Sequence, residues 1–83
     1  MCQIDFARRR ISERTVCEYI LYIKDGEYSI ECVEYGRNGK IKDSMQIERI
    51  TTSKKQARLL FKSIVENSAC ACTLFDIVVD FLC

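Results

Sequence analysis

The stretch TVCEYILYIKDGEYSIECVEYGRNGKIKDSMQIERI, residues Thr15–Ile50, decides the fold. Two dipeptides punctuate it, Asp25-Gly26 and Asn38-Gly39. Both are strong hairpin signals, because a type I′ turn needs positive φ at its two central residues. A turn at Asp25-Gly26 sets Lys24 opposite Glu27, Ile23 opposite Tyr28, Leu21 opposite Ile30 and Tyr19 opposite Cys32. Side chains alternate along a strand. Cys17, Tyr19, Leu21, Ile23, Tyr28, Ile30 and Cys32 therefore share one face. Glu18, Lys24, Glu27, Ser29 and Glu31 lie on the other, with Ile20, Tyr22, Val33 and Tyr35 among them. A turn at Asn38-Gly39 sets Ile47 opposite Ile30 and Met45 opposite Cys32, again on the apolar face. Two turns read separately agree on one buried side, as a fixed register requires. The alternative is a longer Gly36–Lys40 loop that slips the third strand.

Outside this meander the signals are helical. Ser53 followed by Gln56 has the spacing of a capping box. Ala57, Leu60, Phe61, Ile64 and Val65 then recur at the spacing of one helical stripe. Asn67 suits a helix end. Thr73 with Asp76 reads as a second cap, followed by the stripe Leu74, Ile77, Val78 and Phe81. A break near Ser68–Cys72 is expected, although no Gly or Pro enforces it, and one unbroken helix is the alternative. Residues 1–14 show no clear period. They are expected to form a partly ordered basic arm, or a short strand through Ile4 and Phe6. The expected fold is α+β: a three-stranded antiparallel β-meander with two C-terminal α-helices packed on one face, in a single domain over residues 15–83.

Composition narrows the function classes. The chain has 83 residues, of which 48% are hydrophobic and 30% charged, with a formal net charge of +1. That is the balance of a folded soluble domain, with no bias toward a polyanionic partner. No apolar run is long enough to span a bilayer, and the first residues lack the apolar core of a secretion signal. A cytoplasmic setting is expected, in which the six cysteines stay free thiols. Cys17 and Cys32 share a face but lie diagonally, about 7–8 Å apart, too far for an easy bridge.

From Thr15 on, the chain resembles a family of short bacterial proteins classed as a domain of unknown function. The likeness rests on Tyr19-Ile20-Leu21-Tyr22, the Glu27-Tyr28-Ser29-Ile30-Glu31 strand, and Leu74-Phe75-Asp76-Ile77-Val78-Val79-Asp80-Phe81-Leu82. These are core patterns. The resemblance implies a compact bacterial domain and assigns no activity to any residue.

No catalytic constellation stands out. The chain has no His, which removes the usual base near neutral pH and rules out Ser-His and Cys-His nucleophile systems within one chain. No phosphate loop or dinucleotide fingerprint occurs. Cys70-Ala71-Cys72, with Cys83, is the one cluster resembling a metal site, but its spacing and ligand number fall short of structural zinc; no metal or cofactor is expected. Asp76 with Asp80, and Glu34 with Asp43, read as solvated rim charges. Two surfaces remain. Ile20, Tyr22, Val33 and Tyr35 form a candidate protein-contact patch on the open sheet face. Tyr22 and Tyr35 could stack bases there, but Glu18, Glu27, Glu31 and Glu48 on the same face would repel phosphate. Arg8, Arg9, Arg10, Lys54, Arg58 and Lys62 are candidate anion or nucleic-acid contacts. The expectation is a non-catalytic protein-interaction module with a protein partner or a second copy of itself. Weak nucleic-acid binding through the basic arm and helix face is the alternative.

Overall fold

Asp25 and Gly26 both take positive φ, +53° and +79°, the pair of values a type I′ turn requires. The computed structural model describes residues 2–82. Strand β2 (Thr15–Lys24) runs into this turn and β3 (Glu27–Tyr35) leaves it. Leu21 pairs with Ile30 and Tyr19 with Cys32, the register that the turn dictates.

Strand β4 (Ile41–Thr51) follows a different kind of connection. Gly36–Lys40 is a longer loop, closed by Gly39 N–H to Gly36 O at 3.0 Å and Gly36 N–H to Lys40 O at 2.8 Å. Only Gly39 takes positive φ there. Through its middle the strand does not slip, because Lys42 bulges out of β4 opposite Glu34 and Tyr35 and absorbs the extra residue; a second irregularity, between Tyr28 and Ile30, shifts the end of β4 so that Tyr28 pairs with Thr51. Ile30 still pairs with Ile47 and Cys32 with Met45.

The sheet has four strands, not three. Residues Cys2–Ser12 form β1, an edge strand antiparallel to β2, giving the order β1-β2-β3-β4. The expected arm is thus a full strand. Two bulges, at Ile4 and Ile11, break its alternation. Its core contacts come from Ile4, Ala7 and Ile11, a spacing of three and four residues that conceals a strand's period of two. Its turn, Glu13-Arg14, carries no Gly or Asn. Arg8-Arg9-Arg10 on this edge discourages pairing with a further strand.

Helices α1 (Lys54–Glu66) and α2 (Ala71–Leu82) cover one face of the sheet. Ser53 caps α1 by accepting Gln56 N–H at 3.3 Å. The end of α1 departs from expectation: Ser68, not Asn67, takes the left-handed conformation, with φ +50°. Ser68 N–H bonds Val65 O and Ala69 N–H bonds Ile64 O, the Schellman pattern. Asn67 caps through its side chain, Nδ2 to Ser63 O at 2.7 Å. The start of α2 also shifts. Cys70 occupies the cap and Thr73 lies within the first turn, its Oγ1 accepting Cys70 N–H at 3.2 Å.

Tyr19, Leu21, Ile30, Leu60, Ile64 and Leu74 fill the core between the layers, each wholly buried. The Tyr19 hydroxyl donates to Ala69 O in the link between the helices, tying the sheet to the helix junction. Met45 points to the same layer from the edge strand and stays partly exposed. No helix among the described residues is long and apolar enough to cross a membrane.

Candidate protein-contact surfaces

The sheet face away from the helices carries the expected patch. Ile20 pairs with Glu31, and Glu18 with Val33, so apolar and acidic side chains alternate across its centre. Ile20, Val33 and Tyr35 are half-buried by their neighbours. Tyr22 is only 3% exposed, and its hydroxyl accepts from Gln46 Nε2 on β4. The neighbouring Glu18 carboxylate pushes the Tyr35 pKa up. A partner laid flat on this face would have to desolvate Glu18 and Glu31, at a cost of several kcal/mol per unpaired ion.

The helical layer presents a different surface. On α2, Phe75, Val79 and Leu82 are 50%, 41% and 49% exposed. They recur at i, i+4 and i+7, beside the buried residues Leu74 and Val78. The apolar arc of α2 is wider than one sheet contact can cover. Asp76 and Asp80 flank it, both exposed, and α2 contains no Lys or Arg. The exposed side of α1 has the opposite charge. Lys54, Lys55, Arg58 and Lys62 lie there, around Leu59, which is 52% exposed. Lys62 meets Glu66 at 3.9 Å.

The six basic candidates do not form one surface. Arg8 and Arg10 share the open sheet face with their partners Glu18 and Val16, whereas Arg9 pairs with Cys17 and belongs to the helix side. Lys54, Arg58 and Lys62 are on α1. Arg8 and Arg10 instead join Arg14 and Arg37 around a cleft of about 450 Å³ at the end of the open face, with Glu13 and Glu18 on its wall. Arg8 reaches Glu18 at 4.0 Å.

A family model described as a family of unknown function, DUF6514, matches residues 8–83. The chain belongs to this family. The DUF6514 match takes in the last five residues of β1 and every later element. No curated protein and no solved structure matches the chain.

The remaining candidates in this DUF6514 chain resolve into separate roles. Glu34 and Asp43 are cross-strand partners, but Glu34 turns to α2 and accepts Ala71 N–H at 2.7 Å. Among the described residues no three His, Cys, Asp or Glu side chains converge on a metal position; Cys83 lies outside the described residues. Cys70 and Cys72 approach each other, Sγ to Sγ, at 3.0 Å. The Phe75-Val79-Leu82 stripe escapes a search for core patterns, since its residues extend the buried stripe on one side. The spacing i, i+4, i+7 beside a second stripe is the signal that finds it.

Proposed function

We propose that this protein is a non-catalytic interaction module that pairs with a second copy of itself, helical layer against helical layer. The observation that carries this reading is the opposite charge of the exposed helix faces. α1 bears Lys54, Arg58 and Lys62, and α2 bears Asp76 and Asp80, with Leu59 exposed on α1 and Phe75, Val79 and Leu82 exposed on α2. A two-fold axis that sets α1 of one copy on α2 of the other matches both charge pairs at once. It also buries both apolar sets, and it closes after two subunits. The broad side of the molecule measures 36 × 26 Å, enough for the roughly 800 Å² per partner of a standard interface. A bacterial cytoplasmic setting goes with this reading; it is supported by the free thiols Cys17, Cys32, Cys70 and Cys72 and by the family resemblance.

Sedimentation velocity tests it. The expected result is a dimer at micromolar concentrations that weakens as salt screens the cross-helix charges. Val79→Asp should give a monomer, and Asp76→Lys should weaken pairing. A wild-type chain that stays monomeric at high micromolar concentration sinks the proposal.

A second reading has its own support. The Arg8, Arg10, Arg14 and Arg37 cleft concentrates positive charge suited to a phosphate backbone. Nucleic-acid binding through it would fall steeply with salt. Retention of the protein on a DNA column at low salt, abolished by Arg10→Ala with Arg14→Ala, is the expected result. Passage of the wild type straight through the column overturns it.

A further inference from the structure

The thiols of this chain fall into two classes. Cys17 and Cys32 are wholly buried, and burial pushes both pKa values up. They are closed to solvent oxidants. Cys70 and Cys72 stand at the start of α2, Cys70 half-buried and Cys72 exposed, with their sulfurs 3.0 Å apart. We propose that Cys70 and Cys72 form a thiol–disulfide exchange site whose substrate is a small disulfide from solution.

Several features of the local structure support the pair. Cys70 directly precedes Ala71, the first residue of α2; Glu34 takes the Ala71 N–H, and the backbone N–H groups of Thr73 and Cys72 favour a thiolate at Cys70. Thr73 Oγ1 lies 3.4 Å from Cys70 Sγ. Hydrogen bonds from Cys72 and then Thr73 draw the Cys70 pKa down. The same contact with Cys70, together with the Glu34 carboxylate, pushes the Cys72 pKa up. The two thiols are therefore unequal, one suited to attack and the other to resolve. Residues two apart at a helix start bring their Cα atoms to about 5.5 Å, within the range a disulfide spans.

The exchange balances without a further reagent. The Cys70 thiolate attacks one sulfur of the substrate R–S–S–R. A bond forms to Cys70 Sγ, the substrate S–S bond breaks and one R–S⁻ leaves. Cys72 gives its proton to solvent and attacks Cys70 Sγ, expelling the second R–S⁻. The protein loses two electrons and two protons. The substrate gains two electrons and, once both thiolates are protonated, becomes two thiols.

Oxidised glutathione is the probe, with the full chain kept native and analysed by intact mass and peptide mapping. The wild type should lose two hydrogens at a Cys70–Cys72 bond, with no glutathione held on either residue. Cys72→Ser should stop at the first step and hold one glutathione on Cys70. Cys70→Ser should react at Cys72 on the order of tenfold more slowly than wild type. Cys2, exposed at the far end of the sheet where it pairs with Ile23, is the internal control. Stable glutathione on the wild-type pair overturns the proposal. So does a bond between two chains, or a Cys72→Ser variant modified no faster at Cys70 than at Cys2.

Discussion

The Glu34 carboxylate on β3 accepts the backbone N–H of Ala71 at 2.7 Å, so a strand side chain caps the second helix. Carboxylates at helix N-termini satisfy donors that the helix itself leaves free. Glu34→Ala should destabilise the protein by about 0.5–2 kcal/mol, and Glu34→Gln by less, since an amide oxygen still accepts. Urea unfolding followed by circular dichroism checks both. Equal stability of Glu34→Ala and wild type would remove this link between sheet and helix.

Tyr19 carries the other tie between the layers. Its ring is wholly buried and its hydroxyl donates to Ala69 O. Tyr19→Phe deletes the donor, leaving the Ala69 carbonyl with Cys32 Sγ at 3.9 Å. The expected loss is about 1–3 kcal/mol, read from the shift in urea midpoint at unchanged slope.

Ser68 sits at φ +50°, a region that disfavours every residue with a Cβ. Ser68→Gly should stabilise the chain by up to about 1 kcal/mol, and Ser68→Val should destabilise it by more. Thermal melts of the two variants should move in opposite directions. Movement in the same direction would mean the Schellman end of α1 is misassigned.

Alkaline pH should weaken the fold. Burial raises the pKa values of Cys32, Cys17 and Tyr19. A group with a raised folded pKa contributes stability that is complete below its unfolded value and lost as pH rises through the folded one. For the thiols the loss begins above the ordinary thiol value of about 8.5, where unfolded thiols release protons that folded ones retain. Unfolding free energy measured across this range should fall with pH. Replacing Cys17 and Cys32 together with Ala should flatten that slope. An unchanged slope would place the titration elsewhere.

Core substitutions test the architecture itself. Ile30 and Leu60 face each other's layer and are wholly buried. Ile30→Asp or Leu60→Asp sets an unpaired charge there and should leave the chain unfolded by circular dichroism. Leu60→Ala should fold at a cost of about 2–5 kcal/mol.

Local rules carried the reading of the hairpins and helices. Asp25-Gly26 prescribes its φ values, the alternation of Leu21 and Ile30 selects a face, and Ser53 with Gln56 marks a helix start. Each acts over a few neighbouring residues, so the order of amino acids alone determined the β2–β3 register and the two-helix lid. Tertiary structure alone decided the rest. β1 joins the sheet through pairing with β2, and its bulges at Ile4 and Ile11 hide the period that would announce it. The Lys42 bulge keeps β4 in register despite the long loop. Glu34 comes to the N-terminus of α2, and Tyr22 sinks under Gln46, through contacts between residues far apart in sequence. Which charges and apolar side chains remain exposed depends on how the layers pack, because burial is a property of neighbours in space.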